Sequence, residues 1–277
     1  MALRIDAHHH LWQYSQKEYG WIGPGMEAIA RDFGPQDLLR ELRACGIDGS
    51  LAVQARQSIE ETDWLLALAE RSQFIRGVVG WAPLAFADFP EVLERWSGRS
   101  KLKGLRHIVQ AEPDDEFILG KEFNRGIRAL ARSGLVYDIL IYERHLPAAI
   151  KFVDSHPNQL FVVDHLAKPL IKDRQLQPWR SCLAELAKRE NVYCKLSGMV
   201  TEADWKNWTP DELRPYAEVA LDAFGAGRLM FGSDWPVCLL ACGYEKWLAT
   251  AQGLLGNLSA AEKDLVLGGV AAKVYCL

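Results

Sequence analysis

Residues 228–237, RLMFGSDWPV, decide the predicted fold of this chain. Leu229, Met230 and Phe231 form a short apolar run, which is typical of a strand buried on both faces. The run ends at a Gly-Ser pair and is followed by a single carboxylate, Asp234. A charge at the carboxyl end of a buried strand has lost much of its water and needs a partner. We therefore expect that partner on a neighbouring strand.

Two histidines near the start of the chain can supply it. In residues 5–10, IDAHHH, His8 and His10 are two positions apart, so both side chains leave a strand on the same face. An Asp after the last strand that faces a His pair on the first strand indicates a closed barrel, because those two strands are then neighbours.

Short apolar strands alternate with amphipathic segments along the whole chain. The eight predicted strands are residues 4–8, 50–54, 75–81, 102–107, 136–141, 160–164, 192–196 and 228–232. The pattern predicts an α/β fold, a single (β/α)8 TIM barrel that forms one domain over residues 1–277. A doubly wound open sheet is the alternative, but no G-x-G-x-x-G phosphate motif follows any strand.

The predicted helices have recognisable ends. Pro35 precedes, and Gly46 follows, a helix over residues 36–45. Capping boxes of the form S/T-x-x-E predict helix starts at Ser58, Thr209 and Ser259. The other predicted helices are residues 89–97, 121–133, 146–155, 179–189, 244–255 and 260–275.

Composition describes an ordinary soluble domain. The chain has 277 residues, of which 49% are hydrophobic and 25% charged, and a length in the range of one barrel. Its net charge of −4 gives no basic field for nucleic acid or an anionic membrane. No apolar run is long enough for a membrane span, and no signal peptide precedes the first strand. The six scattered cysteines favour buried thiols, rather than zinc ligands, in a reducing cytoplasm. A homo-oligomer remains open.

Polar residues cluster at the carboxyl ends of the predicted strands, where the loops of such a barrel build an active site. Five of the seven histidines (8, 9, 10, 107 and 165) fall there. Lys195, on an otherwise apolar strand, needs a buried counter-charge. Asp138 and Asp164 also end strands, and their roles remain open at this point.

Five motifs then resemble the amidohydrolase superfamily. They are DAHHHLW (6–12), GLRH (104–107), VVDHLAKP (162–169), KLSG (195–198) and FGSDWPV (231–237). More narrowly, they are similar to its sugar-lactone hydrolases, such as fucono-, galactono- and rhamnono-lactonases, and to the related pyrone-dicarboxylate lactonase. The resemblance implies a barrel of the metal-dependent hydrolase type that hydrolyses a ring ester.

The resemblance and the strand ends together give two sets of predicted site residues. The predicted catalytic residues are Asp234, His8, His10, Arg106 and His165. The predicted substrate-binding residues are Gln54, Trp81, His107, Lys168 and Trp235.

The metal requirement is left open by the sequence. Members of the superfamily usually carry a His at the end of strand five and often a Lys or Glu on strand four. This chain has Val136-Tyr137-Asp138 and Arg106-His107 there, which argues against a two-metal site. One divalent ion such as zinc, held by His8, His10 and Asp234, fits a catalytic site with three protein ligands and water. The lactonase branch also includes metal-independent enzymes, so a metal-free route is an alternative.

The predicted function is hydrolysis of a sugar lactone, a hexono-1,4- or 1,5-lactone, to the aldonic acid. Such a reaction needs a base for the attacking water, a donor for the carbonyl oxygen and a proton for the leaving alkoxide. Asp234 is the predicted general base. The alternatives are a metal-dependent decarboxylase or hydratase of an unsaturated carboxylic acid, and a non-catalytic barrel that binds a ligand.

Overall fold

Eight parallel strands, paired in chain order, form the centre of the computed structural model, which describes residues 2–277. The strands are β1 (Ile5–His9), β2 (Gly49–Val53), β3 (Ile75–Gly80), β4 (Leu102–His107), β5 (Val136–Ile139), β6 (Phe161–Val163), β7 (Val192–Leu196) and β8 (Leu229–Phe231). Each lies within two residues of its predicted bounds. The predicted (β/α)8 barrel is confirmed.

The first and last strands meet just beyond the end of β8. His9 and Trp235 form a parallel bridge between them. The His10 N–H donates to the Trp235 carbonyl at 2.6 Å, and the Asp234 N–H donates to the His8 carbonyl at 2.8 Å. These bonds fix the backbone of Asp234 directly beside the two predicted histidine partners.

Helices surround the sheet and alternate with its strands. They are α1 (Pro35–Cys45), α2 (Ile59–Arg71), α3 (Phe89–Glu94), α4 (Lys121–Ala131), α5 (Leu146–Asp154), α6 (Trp179–Leu186), α7 (Pro210–Phe224), α8 (Tyr244–Leu254), α9 (Ala260–Asp264) and α10 (Val270–Val274). None of the helices in residues 2–277 combines the length and apolar character needed to cross a membrane.

Two of the three predicted capping boxes are present. Thr209 and Ser259 each accept from the backbone three residues on, and the Glu at that position bonds back to the cap. The predicted box at Ser58 is wrong. Ser58 caps α2, but the Glu61 carboxylate turns inward and accepts from the backbone N–H groups of Ala55 and Arg56 instead.

The predicted final helix over residues 260–275 is also wrong as one continuous element. A π-helical turn, Leu265–Gly269, separates α9 from α10. Gly268 lies so close to the first strand that a Cβ there would be 2.0 Å from the Leu3 carbonyl oxygen. The close approach of the two backbones therefore interrupts the helix, and lets the last residues pack beneath the barrel.

The interior of the barrel is closed at its amino end by these last residues. Inward-facing side chains of the strands form one apolar cluster with the final helix: Ile5, Ala7, Leu51, Val53, Val79, Val136, Val162, Tyr193, Met230, Val270, Ala271, Val274 and Tyr275. We call residues 266–275 the C-terminal plug. A second, larger cluster fills the space between the strands and the surrounding helices. The amino mouth is thus sealed, and the carboxyl mouth holds the polar strand ends.

Candidate active site

The carboxylate after β8 meets two histidines of the first strand. His10 Nε2 lies 3.3 Å from Asp234 Oδ1 and 3.2 Å from His8 Nε2. His8 Nε2 is 3.8 Å from the same carboxylate oxygen. All three side chains are buried, and their ligand atoms lie close enough together to hold a metal ion. The structure thus brings the three predicted metal ligands together.

An irregularity in β1 places these histidines. The register with β2 shifts between Asp6 and His9, so Ile5 and Ala7 face the apolar cluster while His8 and His10 face Asp234. Asp6 instead accepts from the backbone N–H groups of His8 and Ser233. The Asp6 carboxylate therefore ties the first strand to the loop that carries Asp234. Sequence reasoning missed this role, although an Asp next to an HxH motif was visible.

The hydrogen bonds of His10 show that the three residues fit a divalent ion. His10 Nδ1 lies 2.8 Å from the Val53 carbonyl oxygen, which can only accept, so Nδ1 carries the proton. Nε2 is then an acceptor that faces another acceptor, Asp234 Oδ1. A cation between two such atoms relieves their repulsion, and zinc takes imidazole nitrogen and carboxylate oxygen.

A chain of buried ions lies directly behind His8. Lys195 Nζ is 2.5 Å from Asp138 Oδ2 and 2.9 Å from Asp164 Oδ1. Asp164 also contacts His8 Nδ1 at 3.3 Å and Arg106 Nη1 at 2.9 Å. Lys195, Asp138 and Asp164 are wholly buried. The counter-charge expected for Lys195 is therefore present, and it is supplied by both strand-end aspartates whose roles the sequence left open.

The two aspartates of this chain differ in proton affinity. Burial raises the pKa of Asp138 to about 6, although Lys195 opposes the shift. Burial acts on Asp164 too, but Lys195, His8 and Arg106 outweigh it and hold the pKa of that carboxyl well below its usual range. Asp164 is consequently the fixed negative charge of the cluster.

A left-handed turn after β6 directs two further predicted residues to the site. Four consecutive residues, from His165 to Lys168, have φ between 50° and 58°. This conformation costs L-residues roughly 1–2 kcal/mol each, so the surroundings must stabilise it. Trp179 Nε1 donates to the Leu166 carbonyl at 2.7 Å, and the Lys168 N–H donates to the His165 carbonyl at 2.8 Å. The strained turn lets His165 and Lys168 line the same cavity.

A cavity of about 760 Å³ opens above these residues. Five of the predicted site residues line it: His10, Arg106, His165, Lys168 and Asp234. Its other lining residues come from the loops, and include Glu18, Trp21, Arg56, Tyr142, Glu202 and Trp205. Sequence reasoning missed these loop residues because they follow no motif, although Arg56 and Tyr142 lie only three residues after a strand.

Each cation that lines the cavity, within residues 2–277, has a carboxylate partner. Arg56 Nη1 is 2.6 Å from Glu18 Oε1, and Lys168 Nζ is 3.3 Å from Glu202 Oε1. Arg106 is paired with Asp164, as described above. The cavity thus offers side chains of both charges, but each lysine or arginine is already paired with a carboxylate of the protein.

The remaining predicted substrate-binding residues lie outside the cavity lining. Trp81 Nε1 donates to His107 Nδ1 at 3.2 Å, and His107 Nε2 lies 2.7 Å from Glu112 Oε1. Gln54 is fully buried, and its side-chain amide donates to the Arg106 carbonyl at 3.2 Å. Trp235 is buried against the edge of Phe33. In this structure the four side chains contact protein groups, and their predicted contact with a substrate stays a prediction.

Two side chains that line the cavity, His165 and Asp234, have shifted pKa values that fix their protonation states at neutral pH. Burial lowers the pKa of His165 to about 4, so its imidazole is neutral at pH 7. Burial alone would raise the pKa of Asp234, but the neighbouring imidazoles of His165 and His10 hold it below its usual range. His165 Nδ1 lies 2.8 Å from the Ser197 hydroxyl. The site therefore pairs an ionised carboxylate with a neutral imidazole.

Comparisons with known proteins give a consistent picture. A family model described as Amidohydrolase matches residues 5–277. The chain is 43% identical to an L-fucono-1,5-lactonase of Burkholderia multivorans, with 100% of this chain and 97% of that protein covered. It is 38% identical to an L-fucono-1,5-lactonase of Burkholderia ambifaria, with 99% and 96% covered.

A solved structure matches over its full length as well. It is an amidohydrolase of Burkholderia multivorans with bound zinc, 43% identical to this chain. The match covers 100% of both chains and has a TM-score of 0.97.

Proposed function

The chain belongs to the amidohydrolase family, and on that premise we propose that it is a lactonase which hydrolyses a sugar lactone to the aldonic acid. Its similarity to two L-fucono-1,5-lactonases, at 43% and 38% identity over nearly the whole chain, supports a sugar lactone as the substrate class. L-fucono-1,5-lactone is accordingly the first substrate to test.

The observation that carries the proposal is the charge balance around the cavity. A lactone is neutral and rich in hydroxyl groups, so it needs donors and acceptors rather than a free cation. The paired side chains Lys168–Glu202 and Arg56–Glu18 offer both. Among the side chains, an unsaturated acid would obtain a cation for its carboxylate only by breaking one of these pairs, so a bound metal ion would have to hold that carboxylate instead. The side-chain charges thus favour a neutral lactone, and the substrate panel below separates it from the metal-dependent decarboxylase or hydratase alternative.

Asp234 is the proposed general base. Its carboxylate is ionised at neutral pH and lines the cavity. Oδ1 faces both histidines, which leaves Oδ2 for the proton of the attacking water. Water then adds to the lactone carbonyl carbon, and the ring carbon–oxygen bond breaks. The aldonic acid that forms releases a proton at neutral pH.

Arg106 and His165 are the proposed donors. Arg106 is held by Asp164 and by the Gln54 carbonyl, so its guanidinium keeps a fixed position at the cavity floor. A preorganised donor of this kind stabilises charge on the carbonyl oxygen at little reorganisation cost. If Ser197 donates to His165 Nδ1, Nε2 carries the proton that the leaving alkoxide needs.

A divalent ion fits beside these groups. We propose zinc, because the solved amidohydrolase of similar sequence holds zinc and His8, His10 and Asp234 present suitable donor atoms. When bound, the ion would supply Lewis-acid chemistry to the water or the carbonyl group.

A substrate panel tests the proposed function. Purified protein is offered L-fucono-1,5-lactone, hexono-1,4-lactones and unsaturated carboxylic acids near pH 7, with a no-enzyme control for spontaneous ring opening. We expect proton release from at least one lactone and no loss of carbon dioxide from the acids. Decarboxylation or hydration of an acid, with no lactone hydrolysed above the control, would overturn the proposal.

Elemental analysis tests the metal assignment. We expect at most one divalent ion per chain, because β5 has Asp138 rather than a His near its carboxyl end and β4 has no Lys at its carboxyl end. Two tightly bound zinc ions per chain would show that the ligand assignment is wrong. Assay after exhaustive chelation then separates the metal-assisted route, which loses activity, from the metal-free route.

A further inference from the structure

One hydrogen bond connects the C-terminal plug with the polar centre at the other mouth of the barrel. Tyr275 is buried, and its hydroxyl donates to Asp138 Oδ1 at 2.7 Å. The other oxygen of this carboxylate, Oδ2, is the one that contacts Lys195 Nζ at 2.5 Å. Tyr275 therefore fixes which way the Asp138 carboxylate faces.

Lys195 and Asp164 compete for one ring nitrogen of His8. His8 Nδ1 lies 3.2 Å from Lys195 Nζ and 3.3 Å from Asp164 Oδ1. If Nδ1 accepts from the ammonium, the ring proton sits on Nε2. If Nδ1 donates to Asp164, Nε2 is unprotonated, which a metal ligand requires. The choice between the two tautomers involves no change in net charge.

Asp138 decides this competition through its hold on the ammonium. Among the groups around Lys195 Nζ, Asp138 Oδ2 is nearer than Asp164 Oδ1 or His8 Nδ1. An ammonium held towards Asp138 donates less well to His8, and leaves Nδ1 free to donate to Asp164.

We propose that Tyr275 is a positioning residue for the metal site, and that it acts through Asp138 and Lys195 on the tautomer of His8. The hydroxyl holds Asp138 towards Lys195, so that His8 presents an unprotonated Nε2 beside His10 and Asp234. The inference rests on the metal site of the proposed function, but it does not depend on which substrate is hydrolysed.

The test compares two tyrosine-to-phenylalanine variants. Tyr275→Phe removes the hydroxyl but keeps the ring, whose centroid lies 5.6 Å from Lys195 Nζ. Tyr193→Phe is the matched control, because Tyr193 belongs to the same apolar cluster, whereas the hydrogen bond to Asp138 is made by Tyr275. The readout is the affinity for Zn²⁺ or Co²⁺, measured by competition with a chelator.

Loss of a group that orients a metal ligand typically weakens metal binding by 10–100-fold, and Tyr275→Phe should lie near the lower figure, at about 10-fold. Tyr193→Phe should stay within about twofold of the wild type on the same scale. Equal affinities for the two variants would overturn the proposal.

Nitrogen-15 spectra of the metal-free protein give a second readout that a merely structural role would not move. In the metal-free protein His8 Nε2 also lies 3.2 Å from the unprotonated His10 Nε2, which favours a proton on His8 Nε2. We therefore expect both tautomers of His8 in the wild type, and a shift of population towards Nε2 in Tyr275→Phe. An unchanged tautomer would overturn the proposal even if metal affinity fell.

Should Tyr275→Phe fail to fold, Asp138→Asn replaces it, since this change keeps an acceptor for Tyr275 and removes the charge that holds Lys195. Wild-type metal affinity in Asp138→Asn would equally overturn it.

Neither readout uses a lactone. A chain that binds metal as described but hydrolyses no lactone would therefore contradict the proposed function and leave the role of Tyr275 intact.

Discussion

At its carboxyl mouth the barrel buries charged side chains around a cavity, whereas at its amino mouth it buries apolar side chains beneath the C-terminal plug. The same strands supply both ends. Lys195 and Leu51, one from each environment, are both fully buried. Burial of Leu51 removes apolar surface from water and is favourable by itself. Burial of Lys195 costs desolvation energy, which only its carboxylate partners can offset. The same degree of burial therefore changes the free energy of folding in opposite directions for these two side chains.

Backbone strain is concentrated at the carboxyl mouth. Of the seven non-glycine residues with positive φ in residues 2–277, two are Arg174 and Cys276, and the other five are Asp234 and the four residues of the turn that begins at His165. Both segments lie at the carboxyl mouth and line the cavity. Strain of this kind persists only where surrounding contacts over-determine the conformation, and it clusters at functional sites. Apolar burial at the amino mouth stabilises the fold, and this stability offsets the strain that positions the polar groups of the carboxyl mouth.

The largest expected effect on stability comes from removing the buried cation. Lys195→Met leaves Asp138 and part of Asp164 without a counter-charge, and should destabilise the fold by about 3–5 kcal/mol. Urea denaturation measures the change. Lys188→Met is the control, because the Lys188–Glu185 pair is exposed and should contribute at most about 0.5 kcal/mol. Similar values for the two variants would contradict the difference drawn between buried and exposed charge.

A truncation at the amino mouth should affect stability without affecting catalysis. Leu51→Ala leaves a cavity in the inner apolar cluster, and should cost about 2–5 kcal/mol of unfolding free energy. Leu51 packs in the apolar cluster and does not line the cavity, so kcat of the folded fraction should stay close to wild type. Denaturation and steady-state assays on one preparation measure both quantities. A fall in kcat comparable to that of a site variant would show that the two mouths are not separable.

The stability should depend on pH through Glu61, a buried carboxyl group near the carboxyl mouth. Burial raises the pKa of Glu61 from its ordinary value of 4.5 to about 7, although backbone donors oppose the shift. The folded state therefore binds a proton more readily than the unfolded state between these two values. Stability contributed by this group is fully present below pH 4.5, and is lost as pH rises through 7, by up to about 3 kcal/mol.

Glu61→Gln removes this titration and serves as the reference. Unfolding free energies of both proteins, measured from pH 5 to 8, should show the wild type losing stability relative to the variant as pH rises. A difference that is flat across this range would contradict the assignment of a raised pKa to Glu61.

The sequence predicted those features that local patterns encode. Apolar runs bounded by polar or glycine residues located all eight strands, because a parallel strand covered on both faces has few other compositions. The HxH spacing correctly placed His8 and His10 on one face, and the isolated charge of Lys195 correctly called for buried partners. Asp234, the first charge after the last strand, lines the cavity as the barrel reading implied.

The sequence did not predict features that depend on contacts between distant segments. No glycine marks the left-handed turn at His165, since Trp179 and neighbouring loops stabilise it. The break in the last helix follows from the approach of Gly268 to Leu3, which no local pattern reveals. Trp81 and His107 satisfy each other's polar atoms, so their position at strand ends did not bring them into the cavity lining.

The most direct test of Asp234 as the general base is the kcat of Asp234→Asn on L-fucono-1,5-lactone, measured near pH 7 against a no-enzyme control. Asparagine is nearly isosteric but cannot take a proton, so kcat should fall by about 10²–10⁴-fold while the fold changes little. Because Asp234 is also a proposed zinc ligand, the metal content of the variant is measured beside kcat. Asp211→Asn, at an exposed carboxylate, is the matched control and should behave as wild type. A kcat for Asp234→Asn within about threefold of wild type, far short of a general-base effect, would contradict the account.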